Sequence, residues 1–374
     1  MKSLKPIGRA LKLGRSRAGR AVLNTSLGRI TRVQIKENAS KLVLNVHPNE
    51  PAEGKVVVEV KVPERVQYQP LLIFTLEIEG TRGEAEAIIG VLPVDDESHK
   101  VTVKRALQDD KSYSVGALSF LKRGDYYLAY RWRNGNKDRG RWLEISRSHD
   151  GLNYDEVVVQ FKKEDYGYLS FEQPGFAKNA PETVFLYSAD VERKWNIFLV
   201  TAGNVEELQL PGRQVIEWGK DPAVLYDNRY IVVYSNTRNP GHDLTVLETE
   251  DFERFEVKVD SLFYGQLHWQ GNEWARTHIH AGALHKSGEY YVLFYDALPK
   301  LPSCFGSGWL GIAVSKDLER WVDLTPEAPL WQGNGVDKTF RYVDLYTDGE
   351  KYIFYAEVET TAAGRKDIVA FYDE

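Results

Sequence analysis

One short motif recurs through most of this chain and limits what it can fold into. An aromatic strand core appears five times after residue 101: Tyr126–Tyr130, Thr183–Tyr187, Tyr230–Tyr234, Tyr290–Tyr295 and Tyr352–Tyr355. A turn precedes each one: Arg123-Gly124-Asp125, Asn179-Ala180-Pro181, Asp227-Asn228, Ser287-Gly288-Glu289 and Asp348-Gly349-Glu350. Ahead of each turn lies another short apolar run, so every copy reads as a β-hairpin. The clearest copy runs from Lys220 to Ser235. Repetition at this spacing marks an array of similar units, each hiding its edges against the next.

A third strand follows each core. In three units it ends in one pattern: Ser or Thr, any residue, Asp, three residues, then an aromatic. These are Ser148–Tyr154, Thr249–Phe255 and Ser315–Trp321. The short Ser, Thr and Asp side chains hydrogen-bond nearby backbone and fix a tight turn, so these aspartates are structural. The aromatic opens a fourth strand. Five units of four strands give an all-β fold, a five-bladed β-propeller over residues 101–374. The chain ends on the third strand of its last unit, Ile368–Tyr372, so the missing strand must come from upstream. Val101–Leu107 is the natural donor.

Upstream, residues 21–100 read as a small antiparallel β domain, sandwich-like. Candidate strands are Ile30–Lys36, Lys41–His47, Lys55–Val62, Leu71–Glu79 and Ala85–Leu92, with alternation in Val56–Val62 and Leu72–Ile78. Residues 1–20 hold seven basic residues and three glycines. That composition predicts a solvated basic arm, able to contact an acidic protein partner or another subunit. Residues 1–36 carry ten Lys or Arg and no acid, which leaves 38 basic against 54 acidic side chains in the remainder, a net charge of −16. An acidic body argues against nucleic acid as the partner. A single cysteine, Cys304, excludes an internal disulfide and a cysteine-rich metal site. The basic segment lacks the unbroken apolar core of a secretory signal, and no apolar run is long enough for a transmembrane helix. The expected location is cytoplasmic or within a larger assembly.

In a propeller the first strand of each blade lines the central channel, and its starting residues converge at one mouth. Those starts are Ser114-Val115-Gly116, Ser170–Pro174, Lys220-Asp221-Pro222, Thr277–Gly282 and Asp337–Asp344. The blade spacing, Asp221-Pro222 before a strand and turn, and His280–Tyr291 with its glycine turn and paired tyrosines resemble the five-bladed propeller glycosidases. That superfamily includes the family 43 arabinanases and β-xylosidases, invertase-like enzymes and β-mannoside phosphorylases. The likeness covers roughly residues 101–374. It implies a carbohydrate in the central funnel and a carboxyl pair with a third aspartate tuning the acid. Asp221 stands where that third aspartate belongs. The acid position falls on His280, and a histidine can donate a proton near neutral pH. The base position falls near Val115, which does not ionise. Glu172 and Asp344 are the candidate replacements. Each of these residues also has a purely structural reading, as a turn cap, a surface carboxylate or a core histidine.

Trp269, Trp274 and Arg276 lie in the connection before the fourth unit and suit a sugar ring and its hydroxyls. His278 shares a strand face with His280. Lys220, Arg276, Lys338 and Arg341 add positive potential that an anionic sugar or phosphate would meet. The histidines lack a fixed third ligand, so neither a metal nor any cofactor is expected. Two readings follow. In one the protein is a glycosidase-like enzyme with His280 as acid, Asp221 as its tuner and Glu172 as base. In the other it is a non-catalytic carbohydrate-binding or assembly protein on the same scaffold.

Overall fold

The computed structural model describes residues 6–14, 17–136, 138–238, 242–299 and 308–373. It is built almost wholly of strands, with a few single turns of helix. Among the described residues no helix is long and apolar enough to cross a membrane. Cys304 lies outside the described residues.

Five four-stranded antiparallel units follow one another along the chain. The first holds Tyr113–Arg123, Asp125–Asn134, Trp142–Ser148 and Glu156–Lys162. The second holds Ser170–Lys178, Thr183–Val191, Lys194–Ala202 and Arg213–Glu217. In the third are Gly219–Asp227, Arg229–Asn236, Asp243–Thr249 and Glu256–Val259. The fourth comprises Thr277–Ser287, Tyr290–Leu298, Trp309–Ser315 and Trp321–Asp323. In the fifth, Phe340–Thr347, Tyr352–Glu359 and Lys366–Asp373 are completed by His99–Lys104 from upstream. This donated strand begins two residues before the expected Val101 and ties the two ends of the ring together. The first strands of successive units lie side by side, and the fifth lies against the first.

The aromatic motif explains the packing. Its strand is buried on both faces, so it is a continuous apolar run rather than an alternating one. Tyr126, Leu128 and Tyr130 enter the core shared with the fifth unit, while Tyr127 and Ala129 enter the core shared with the second. In the third unit Tyr230, Val232 and Tyr234 face the second unit, and Ile231 and Val233 face the fourth. The repeated aspartate turns also form. Asp150 Oδ1 accepts from the Leu152 and Asn153 amides at 2.7 and 2.8 Å, and Asp317 Oδ1 accepts from those of Glu319 and Arg320 at 3.0 and 2.8 Å.

Upstream, two sheets face each other. One has four strands, Ile7–Lys12, Gly83–Leu92, Leu72–Gly80 and Ile30–Asn38, in that order; the other has Ala18–Asn24, Lys55–Lys61 and Val43–Pro48. Val56, Val58 and Val60 of one sheet meet Leu72, Phe74, Leu76 and Ile78 of the other, as their alternation requires. In place of the free basic arm expected over residues 1–20, the described residues there form strands. Ile7–Lys12 pairs in parallel with Ala87–Leu92, and Ala18–Asn24 pairs with Lys55–Lys61. The basic side chains ride on these strands. Arg9 reaches Glu327 at 2.8 Å, and Lys12 pairs with Asp96. Local composition reads the charges but not the sheet edge that recruits the backbone. The small domain therefore begins upstream of residue 21, and residues 1–5 and 15–16 lie outside the described residues.

The small domain is not hung on a linker. Leu71, Ile73, Ile88 and Leu92 share one core with Leu310, Ile312, Val314 and Leu324 of the propeller. Leu71 is fully buried in it. Leu71→Ala should cost about 2–5 kcal/mol and lower a single melting transition for the whole chain. Two separate calorimetric transitions, only one of them shifted, would show that the domains fold independently.

Candidate functional site

Every first strand carries a register shift near its start, at Gly116–Ser119, Phe171–Pro174, Lys220–Ala223, Thr277–His280 and Arg341–Asp344. Such bulges re-aim side chains. Ala117, Asp221, His278 and Tyr342 hold left-handed backbone at these shifts, with φ of 50, 55, 49 and 47°. Non-glycine residues seldom adopt that conformation outside functional or over-determined sites. The starts converge on a cavity of about 180 Å³, to which Glu172, Lys220, His278, His280 and Arg341 all contribute. The sequence singled out each of these five residues.

Glu172 is buried and held by arginines. Its carboxylate lies 3.1 Å from Arg131, 3.5 Å from Arg139 and 3.8 Å from Arg133. Burial alone would push its pKa up, but Arg131, Lys220, Arg133 and Arg139 outweigh that and hold it well below the usual carboxylate range. Arg133 pays for its burial beside Arg131, and its pKa falls to about 10. Arg341 bonds Glu357 through Nε and Nη2 at 3.1 and 2.7 Å, and the Ala117 amide donates to the other Glu357 oxygen at 3.1 Å. A Cβ on Gly116 would sit 2.0 Å from that carboxylate, so the first unit must carry glycine there.

Asp221 stands directly behind the cavity wall and is fully buried. Its carboxylate lies 3.0 Å from Lys220 Nζ and 4.0 Å from His280 Nε2, and its amide donates to Ser188 Oγ at 2.8 Å. His280 Nδ1 lies 2.9 Å from Asp296, and the imidazole stacks on Tyr342 with centroids 5.3 Å apart. Burial, then Lys220, drive the His280 pKa well below the ordinary value against the pull of Asp221. A neutral imidazole is a poor proton donor, so the surroundings oppose the acid role expected of His280. Burial raises Asp296 to about 7, although Arg341 pulls it down.

The two tryptophans expected to face a sugar do not line this cavity. Trp274 is buried, stacks on Tyr295 with centroids 5.8 Å apart and donates to Thr325 O at 2.7 Å. Trp269 is 72% exposed on a short turn of helix and donates to Tyr264 O at 3.0 Å, away from the cavity. Arg276 folds back onto Glu273. These three belong to a connection whose own turns satisfy them. The aromatic at the cavity is Trp195, from the third strand of the second unit. Asp344 is also elsewhere. It lies further along its strand, bonded to Lys178 at 2.5 Å and His285 at 3.0 Å. Val115 is buried in the core. Between the two levels Gln173 spans the channel, donating to Gly282 O at 2.7 Å and Leu118 O at 3.4 Å.

The sequence reading did not place His242, Asp296, Arg139 and Glu357 at the site. Arg131 and Arg133 alternate on one strand face, which was a usable signal. Asp296 follows the aromatic core and pairs across its hairpin with His280, which register would have revealed. His242 has no neighbouring pattern.

No family model matches the chain, and no curated protein matches it by sequence. Solved structures do match. A glycoside hydrolase aligns at 14% identity with a TM-score of 0.55, over 75% of this chain and 92% of its own. An exo-1,5-α-L-arabinanase from a bovine ruminal metagenomic library aligns at 13% with a TM-score of 0.50, over 72% of this chain and all of its own. This chain has a glycosidase-like β-propeller fold. At such identities the likeness speaks for architecture alone.

The raised Asp296 pKa has a signed consequence. Its ionised form is disfavoured in the fold, so its cost is absent below pH 3.8, the ordinary value, and complete above about 7. The melting temperature of Asp296→Asn relative to the parent should therefore rise between pH 5 and pH 8. A constant difference across that range would show that Asp296 titrates normally.

Proposed function

We propose that the protein recognises a carbohydrate in the first-strand cavity and does not cleave it through a carboxylate pair. One observation carries this reading: Glu172, the single carboxylate among the described residues lining the cavity, is shared by Arg131, Arg133 and Arg139. A carboxylate so stabilised holds no proton to donate and is a weak base. Hydrolysis by inversion or retention needs two carboxyl groups facing each other across the sugar, roughly 5–9.5 Å apart. Recognition needs less: a concave site, an apolar face and a few directed polar groups. Trp195 offers the face, and Lys220, Arg341 and the histidines offer the polar groups.

The contact between Asp296 and His280 favours a second reading. With its proton on Nδ1 and donated to Asp296, His280 presents an Nε2 lone pair to water, as a base weakened by its lowered pKa. That arrangement would make His280 a base rather than the expected acid, with Asp221 close by.

A glycan array beside a screen of aryl glycosides separates the two. The expected result is glycan retention without turnover. Turnover that disappears in His280→Gln while binding persists would establish the second reading in place of the first.

Glu172 itself gives an independent check. Removing one partner of a buried charge cluster costs about 3–5 kcal/mol, so Glu172→Gln should lower stability clearly. A variant as stable as the parent would show that the arginines do not depend on this carboxylate.

A further inference from the structure

The cavity is rich in donors and poor in acceptors. Arg133, Arg139, Lys220 and Arg341 line it against one carboxylate, Glu172. Arginine and lysine only donate hydrogen bonds. A neutral sugar offers hydroxyls that both donate and accept, and usually meets a mixture of the two. An oxyanion only accepts, and it is the natural complement of this wall.

Counting the groups behind the wall does not remove the imbalance. Lys220 is set against Asp221, Arg341 against Glu357, and Arg131 joins Arg133 and Arg139 on Glu172. Among the described residues, these five cations share three carboxylates at ion-pair distance. Two further acids stand near, Asp296 beside Arg341 and Asp190 beside Arg139, and burial raises the pKa of both. The three imidazoles respond to the same surplus. His242 is pushed down to about 2 by burial, then by Lys220, and His278 is lowered by burial, then by Lys220 and Arg341. Uncompensated positive charge in a buried chamber is costly. Its persistence beside a sugar-sized hollow calls for a negative occupant.

The other end of the channel provides an internal contrast. The cavity there, about 290 Å³, is also lined by cations. Its Lys178 and His285 meet Asp344, and its Lys286 meets Asp227. That end is the less basic of the two, with three lysines and one histidine against the four cations and three histidines of the first-strand cavity.

We infer that the carbohydrate recognised in the first-strand cavity bears an oxyanion, a carboxylate or a phosphate, which docks against Arg139, Arg133 and Lys220. The inference rests on the carbohydrate reading above and adds the ligand's charge to it. Arg139 is the residue to alter, because its side chain is 36% exposed at the rim while Arg133 and Lys220 are buried.

The test is a glycan array carrying neutral, uronic-acid, phosphorylated and sulfated glycans, probed with the full chain and with Arg139→Gln, beside a titration with inorganic phosphate. The expected result is retention confined to anionic glycans, at least about tenfold (1.4 kcal/mol) tighter than their neutral counterparts. Retention should weaken as salt rises and fall about tenfold in Arg139→Gln. Salt dependence in the parent chain decides the matter if that variant misfolds. Hits among uronic acids that phosphate does not displace identify a carboxylate; phosphorylated hits that phosphate displaces identify a phosphate. Equal retention of neutral and anionic glycans would overturn the charge inference and leave the carbohydrate reading standing. Retention of no glycan would overturn both, even if inorganic phosphate alone bound.

Discussion

The strand starts of five β units meet around one axis, and the charges they carry there are crowded within a few ångströms of one another. The rest of the site follows from that constraint. Glu172, Lys220 and Arg341 arrive on three first strands. Arg131, Asp296 and Glu357 come from second strands and complete the ion pairs. The bulges that aim these side chains also place four residues in left-handed backbone. Strain of that kind persists only where the surroundings over-determine it, and here fixed salt bridges and shared cores do so.

The same geometry separates scaffold from chemistry. The ring is held by inter-unit cores supplied by the aromatic strands and is closed by His99–Lys104 against Lys366–Asp373. None of this requires a particular residue at the axis. The likeness to solved glycoside hydrolases is accordingly a likeness of fold. A carboxylate under three guanidinium groups serves as a counter-ion, whereas a hydrolytic carboxylate must exchange protons.

Much of the fold was legible because repetition is visible without structure. Five aromatic cores and three aspartate turns of one pattern specify a unit, and the short last unit called for a donated strand. The arm was misread for the opposite reason. Ile7–Lys12 is a strand only because Gly83–Leu92 offers it an edge, a non-local fact. At the site, residues on first-strand starts could be found by convergence alone, and Glu172, Lys220, Asp221, His278, His280 and Arg341 were. Trp269, Trp274 and Arg276 were chosen by residue type in a connection, and that connection folds onto itself. Their places are taken by Trp195 and Arg139, which no repeat position marks.

The central claim is that Glu172 is a permanently ionised counter-ion. Carboxyl carbon NMR on selectively labelled protein measures this directly, with Glu172→Gln assigning the resonance. The Glu172 signal should stay in its ionised position from pH 8 down to pH 4. A signal that titrates between pH 5 and 7, as a proton-donating carboxyl would, contradicts it.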